Sequence, residues 1–227
     1  MDVVTLHFNT PEMMDVMIRS VNKHTRCTIH VIDNSDQFPF VNTFDNVNVI
    51  DNTKGQIIDF DRILERYPER RPGVSNYGSA KHCLTVDWCF NEFDNGFILM
   101  DSDILLKKDV SELWDESVVW SGEPFLDCPK GVEVMRVLPF LCFINVPFCK
   151  RYGVRYFNGE WMWHLTRRLP NYWFDTGAWF YKDTMEKCLP CKEIRVGDYC
   201  EHYFHGSHGK FNQSLPEWIK KYKDLWI

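Results

Sequence analysis

Residues 96–108 read GFILMDSDILLKK. Gly96 to Met100 is a short, mostly apolar run with the turn residues Asp94 and Asn95 before it, and apolar residues resume at Ile104. A run of this length between polar turns has the pattern of a strand buried on both faces of a parallel sheet. Asp101 and Asp103 stand where that strand would end, with Ser102 between them. In open α/β sheets, ligands bind in the crevice beyond the carboxyl ends of the strands, within reach of such side chains. Two carboxylates at this spacing can place one group directly on a hard cation and leave the other for the cation, its waters or a ligand hydroxyl. Carboxylate oxygens suit Mg²⁺ or Mn²⁺. Taken alone, a D-x-D also fits a polar turn that caps the next segment.

Upstream, Val3 to Phe8 reads as a first strand, and Asn9-Thr10-Pro11 as a helix start with Thr10 as cap and Pro11 at the first helical position. The helix runs to about His24 and puts Met14, Met17, Ile18 and Val21 on one face. Cys27 to Ile32 is a second strand, ending in Asp33-Asn34-Ser35-Asp36, and Asn46 to Ile50 a third, ending in Asp51-Asn52. Strand, helix and strand with polar tips is the pattern of a nucleotide-binding βαβ half. Residues 53–75 form a charged connection with a short helix over Asp59 to Arg66; Arg66, Arg70 and Arg71 fit either a phosphate or a solvated surface. The stretch Ser75-Asn76-Tyr77-Gly78-Ser79 opens a helix through about Phe93. Its unpaired amides and positive dipole end favour phosphate, and plain capping explains the loop equally well.

Downstream, the pattern predicts a short helix over Asp109 to Asp115 and strands over Val118 to Gly122, Val132 to Val137 and Phe140 to Asn145. A helical turn at Phe148 to Gly153 ends on glycine, an aromatic helix begins at Phe157-Asn158-Gly159-Glu160, and Asn171 to Phe180 leads into another through Lys187. Cys191 to Phe204 reads as one late strand, whose end carries three histidines, His202, His205 and His208, in close succession. Ser214 and Glu217 form a capping box for a last helix whose Trp218, Ile219, Tyr222, Leu225 and Trp226 share a face. That face is expected to dock on its own domain. Peripheral membrane contact, helped by Lys220, Lys221 and Lys223, is the alternative.

The chain has 227 residues, enough for one substantial core. Its net charge of −6 argues against a dedicated nucleic-acid binder, which needs a basic field to engage phosphates. Aromatic residues make up 15%, with many between Trp161 and Trp179, a composition that serves either sugar stacking or ordinary packing. MDVVTLHFNT lacks the features of a signal peptide and no stretch is long enough to span a bilayer, so a cytoplasmic protein is expected. The nine cysteines, odd in number and mostly within apolar runs, suit reduced thiols.

Two constellations compete for a metal. One joins Asp101 and Asp103 to a late histidine, because imidazole and carboxylates together suit Mn²⁺ and leave positions open for a diphosphate. The other is Cys188-x-x-Cys191 with Cys200 and His202, a set chemically able to hold Zn²⁺. The first is preferred, since Pro190 lies inside the cysteine pair.

Taken in order, FNTPEMMDVMIRSVNKHT, VIDNSD, SNYGSAKH, ILMDSD, FDTGAWF and EHYFHGSH resemble the motifs of a family 2 type, GT-A fold glycosyltransferase, and the resemblance covers nearly the whole chain. It implies a single α/β domain over 1–227, with a mostly parallel or mixed sheet flanked by helices. The nucleotide-binding half would be 1–115 and the acceptor half 116–227. It also implies a nucleotide-sugar donor, a saccharide or other hydroxyl acceptor, a divalent cation (Mn²⁺ or Mg²⁺) and a setting such as surface polysaccharide synthesis. Carried over residue by residue, Phe8, Asn9 and Asp33 would receive the base. Asn76, Gly78 and Ser79, with Lys81 or His82 nearby, would lie along the ribose and phosphates. Asp101 and Ser102 would sit by the ribose or the metal's waters, Asp103 would be the direct ligand, and His202, with His205 as fallback, would complete the site. The carboxylate that deprotonates the acceptor in inverting members would be Asp175, with Glu160 in reserve. The family's commoner Glu-Asp pair is absent here, which keeps retaining chemistry open, and Asp175 also fits a helix cap. Two rivals remain: a Mg²⁺-dependent phosphohydrolase or phosphotransferase with Asp101 as nucleophile, and a sugar-binding module without catalysis.

Overall fold

The fold is taken from a computed structural model that describes residues 1–65, 77–127, 133–158, 176–203 and 214–227. In chain order, β1 (Asp2–His7) leads to α1 (Pro11–His24), β2 (Thr28–Asp33), β3 (Val47–Asp51), α2 (Phe60–Leu64) and α3 (Tyr77–Glu92). Then come β4 (Phe97–Asp101), β5 (Ile104–Leu106), β6 (Trp120–Gly122), β7 (Pro124–Asp127), β8 (Val134–Val137), β9 (Leu141–Ile144) and α4 (Val146–Tyr152). The chain closes with α5 (Ala178–Glu186), β10 (Lys192–Glu193), β11 (Cys200–His202) and α6 (Leu215–Lys221).

Seven strands form the main sheet in the order β10-β6-β9-β4-β1-β2-β3. β1 to β4 are parallel, and their registers align the tips: His7 lies beside Asp33, Asp33 beside Asp51, and Leu6 beside Asp101. β4 has a second neighbour, β9, which is antiparallel, so the sheet is mixed, as the resemblance implies. Successive residues of a strand face opposite sides, and each side has a helical cover. Val3, Ile98 and Met100 pack with Met14, Met17, Ile18 and Val21 of α1. Val4, Leu6, Phe97 and Leu99 pack with Cys83, Val86, Cys89 and Phe90 of α3 and with Phe180 of α5. The four α1 side chains are at most 1% exposed, and each such burial stabilises by about 1.5–3 kcal/mol.

Some expectations change. Thr10 makes no side-chain cap bond to α1; instead its backbone N–H is taken by the His7 ring. Phe204 lies outside the described residues, and the described part from Cys191 to Tyr203 is not one strand, because its two halves pair with different partners. β10 joins the sheet edge at β6, a 3-10 turn follows at Val196–Asp198, and β11 pairs with β5. The short helix over 109–115 shrinks to a 3-10 turn at Ser111–Leu113. Gly153 ends α4 with φ +62, as a left-handed cap requires. The last helix keeps its capping box, and Trp218 packs with Val16 and Leu105 of the same domain. The eight described cysteines are free thiols. Among the described residues, no helix is long and apolar enough to cross a membrane.

Candidate metal centre and its surroundings

β4 stops where its hydrogen-bonding partner turns away: the Asp101 N–H donates to the Phe140 carbonyl at 3.2 Å, just before β9 begins. The chain turns through Ser102 and Asp103 and leaves the main sheet as β5, which pairs with β11 in a separate two-stranded ribbon. His202 lies opposite Ile104 in that register, and the Tyr203 N–H donates to the Asp103 carbonyl at 2.8 Å. This pairing brings His202 Nε2 to 3.2 Å from Asp103 Oδ1 across about a hundred residues of sequence. The His202 ring stacks on Phe140, centroids 4.1 Å apart.

One ligand atom each from Asp101, Asp103 and His202 lies within 4.8 Å of the others. A cation about 2.1 Å from each donor would hold donors roughly 3–4 Å apart, so side-chain adjustment alone closes the set. Two carboxylates and one imidazole suit Mn²⁺ or Mg²⁺, and three donors leave coordination positions for a ligand. The residues present therefore fit a divalent cation. The two carboxyls titrate in opposite directions. Burial pushes Asp103 above its ordinary value, against the hydrogen bond from His202. Burial also acts upward on Asp101, but the His82 hydrogen bond and the charges of His82, His202 and Arg136 outweigh it and hold that carboxyl below its ordinary value. His82 reaches Asp101 Oδ1 at 3.2 Å from α3.

Beside this group, the tips of β1 and β2 form a tightly bonded loop. His7 Nε2 accepts the Thr10 N–H at 2.9 Å, which puts the ring proton on Nδ1, where Asp33 Oδ1 lies at 3.0 Å and Ser35 Oγ at 2.9 Å. Asp33 also accepts the N–H groups of Ser35 and Phe40, at 3.0 and 2.6 Å. It is 2% exposed. Burial would raise its carboxyl, but these bonds prevail and hold it down at about 2. Asn9, with φ +60, accepts the N–H groups of Gln37 and Phe38 and donates to Asp36. Asp33 and Asn9 thus shape the loop from within. Thr10 Oγ1 lies 3.4 Å from Ser102 Oγ, which joins this loop to the Asp101–Asp103 turn. Phe8 lies under Lys81, whose Nζ is 5.1 Å from the ring centroid and 5.5 Å from that of Phe60. Burial lowers the Lys81 amine, against the pull of Asp36 and Asp61. α3 thereby directs Lys81 to the β1 tip and its neighbour His82 to the acidic pair.

No family model and no curated protein matches the sequence. Solved structures do resemble the fold. The galactosyltransferase LgtC, in complex with donor and acceptor sugar analogues, superposes with a TM-score of 0.54 at 13% identity, over 86% of this chain and 74% of that one. An active-site mutant of LgtC gives 0.55 at 12% identity, over 86% and 73%. Mouse xyloside xylosyltransferase 1, without ligand, gives 0.53 at 11% identity, over 86% of each chain. The chain has a GT-A-like α/β fold.

That GT-A-like fold places some of the sequence candidates together. Asp101, Ser102, Asp103 and His202 meet at one end of the sheet, with His82 against Asp101 and the Phe8–Asn9 loop joined to them through Thr10. Gly78 and Ser79 occupy the first turn of α3. Asn76, Glu160, Asp175 and His205, with Arg66, Arg70 and Arg71, lie outside the described residues. The cysteine alternative is not assembled among the described residues: His202 belongs to the acidic pair, Cys200 is buried, and Cys188 is exposed. Sequence reasoning missed Phe140, which no local signal ties to a histidine 62 residues later. It also missed Arg136, whose charge reaches Asp101 from β8.

Proposed function

We propose that the chain is a metal-dependent glycosyltransferase that moves a sugar from a nucleoside-diphosphate sugar to an acceptor hydroxyl. The observation that carries this reading is the convergence of Asp101, Asp103 and His202 at the end of β4, in a fold whose solved counterparts are named as glycosyltransferases. Asp103 and His202 serve as direct ligands in this reading, with His205 as fallback, and Asp101 shares the cation or its waters. A Mn²⁺ or Mg²⁺ held by these residues would neutralise charge on the leaving diphosphate. His82 orients Asp101, and Arg136 adds positive potential on the same side. Phe8, Asn9 and the loop shaped by Asp33 receive the base, while Asn76, Gly78, Ser79 and Ser102 follow the ribose and phosphates.

The acceptor oxygen attacks the anomeric carbon, the bond to the diphosphate breaks, and its electron pair leaves with the phosphate oxygen. The acceptor's proton goes to a carboxylate: Asp175 is proposed as this base, and Glu160 is the reserve. Base catalysis of this kind inverts the anomeric centre, so the product's anomeric configuration, read by NMR, tests the assignment. Retention would remove the role from both residues. Donor binding is tested by thermal shift with a panel of nucleoside diphosphates and Mn²⁺. The pair together should raise Tm more than either alone, and Asp103→Ala should abolish the synergy. Equal synergy in the variant would refute the metal reading, and release of phosphate from simple monoesters would favour a hydrolase.

A further inference from the structure

β11, the strand that brings His202 to Asp103, has three residues and, among the described residues, pairs with β5 in a two-stranded ribbon. A two-stranded ribbon that short is marginal in water, so its position depends on what packs against it. Ile104, Leu106 and Cys200 bury one side of the ribbon in the main core, and Ser20 of α1 bonds the Leu106 backbone, while the side that carries Leu105 is covered by the C-terminal segment. Trp218 of α6, 7% exposed, shares a cluster with Leu105 of β5 and Val16 of α1, and its ring centroid lies 5.2 Å from that of Tyr203. Tyr203 follows His202 directly and bonds the Asp103 carbonyl through its N–H. Trp218 therefore bears on β5 through Leu105 and on the residue that directly follows β11, Tyr203. The segment beyond it is latched to α1: Lys23 Nζ donates to the carbonyls of Asp224 at 2.5 Å and Ile227 at 2.7 Å. Trp226 Nε1 closes back on the Ile219 carbonyl at 3.2 Å.

We propose that α6 is a positioning clamp for the metal centre, with Trp218 holding His202 against Asp103 through Tyr203 and Leu105. The inference rests on the metal reading of Asp101, Asp103 and His202. Trp218 is not among the candidate ligands. It acts by keeping the imidazole where it can coordinate, as outer supports of metal ligands do, typically at a cost of tenfold or more in affinity when removed.

The test is calorimetric titration of the full chain with Mn²⁺, for the wild type and for Trp218→Ala, Trp218→Phe and Lys23→Met, with circular dichroism to check folding. Trp218→Ala should bind Mn²⁺ about tenfold more weakly. Trp218→Phe should restore most of the loss, because it returns a ring to face Tyr203, and Lys23→Met should weaken binding by a smaller factor. Wild-type affinity in a folded Trp218→Ala overturns the clamp. Where Trp218→Ala does not fold, wild-type affinity in Lys23→Met does so. A wild-type protein that binds no Mn²⁺ overturns the metal reading and the clamp together, which separates the two failures.

Discussion

The imidazole of His202 lies flat on Phe140, with 4.1 Å between ring centroids and 8° between planes. The Phe140 carbonyl also takes the Asp101 N–H, so one residue supports a candidate ligand through its ring and another through its backbone. Phe140→Leu keeps the backbone bond and most of the apolar volume but removes the flat face. Ring pairs contribute about 0.5–1.5 kcal/mol, so Mn²⁺ affinity should fall roughly two- to tenfold, measured by titration. Unchanged affinity would show that the stack does not position His202.

The Asp33 carboxyl, held at about 2 against an ordinary 3.8, links stability to pH. A depressed carboxyl stabilises the folded state above the unfolded value, and that contribution is lost as pH falls from about 4 through about 2. The span corresponds to about 2 kcal/mol. Urea unfolding at pH 7, 4 and 3 should show Asp33→Asn less stable at pH 7 and the gap to wild type closing toward low pH. A gap independent of pH would remove the charge of Asp33 from the account.

Asp87 and Arg155 form an ion pair whose two ends are unequal. Asp87 is 6% exposed and accepts the Tyr156 N–H at 2.9 Å as well as Arg155 Nε at 2.9 Å, while the Arg155 side chain is 62% exposed. Asp87→Ala strands a buried N–H and should cost about 1–3 kcal/mol. Arg155→Met removes a solvated partner and should cost under about 1 kcal/mol. Chemical denaturation of both variants reads the difference, and equal losses would contradict this ranking.

Gly177 and Gly153 both have positive φ, at +81 and +62, but their surroundings differ. A Cβ on Gly177 would lie 2.1 Å from the Val137 carbonyl oxygen of β8, whereas nothing lies within 4 Å of one on Gly153. Gly153→Ala should cost about 1–2 kcal/mol from backbone conformation alone. Gly177→Ala should cost clearly more, because β8 or the start of α5 must move. Thermal unfolding of the two variants provides the comparison, and a similar loss in both would mean that α5 shifts freely against β8.

Much of the architecture is legible locally. The apolar spacing of Met14, Met17, Ile18 and Val21 is enough to define the face of α1, and the acid-tipped apolar runs ending at Asp33, Asp51 and Asp101 mark the ends of parallel strands. Ser214 and Glu217 announce the start of α6, where the Glu217 carboxylate takes the Ser214 N–H at 2.9 Å. The reading of residues 191–204 as one strand failed because a β-like pattern does not say which strand it will pair with. The same limit left open which strand of the mixed sheet would run antiparallel; it is β9.

Sequence alone determined where the acid-tipped parallel strands end, that two carboxylates sit at one of those ends, and which face of α1 is apolar. These follow from near neighbours, since periods of 2 and 3.6 residues and caps within a single turn are written in consecutive positions. Tertiary structure alone decided that His202 meets Asp103, that Phe140 lies beneath it, and that Asp33 turns inward to His7. Those contacts depend on the register of strands and loops far apart in the chain, which is settled by packing and hydrogen bonding in the folded state.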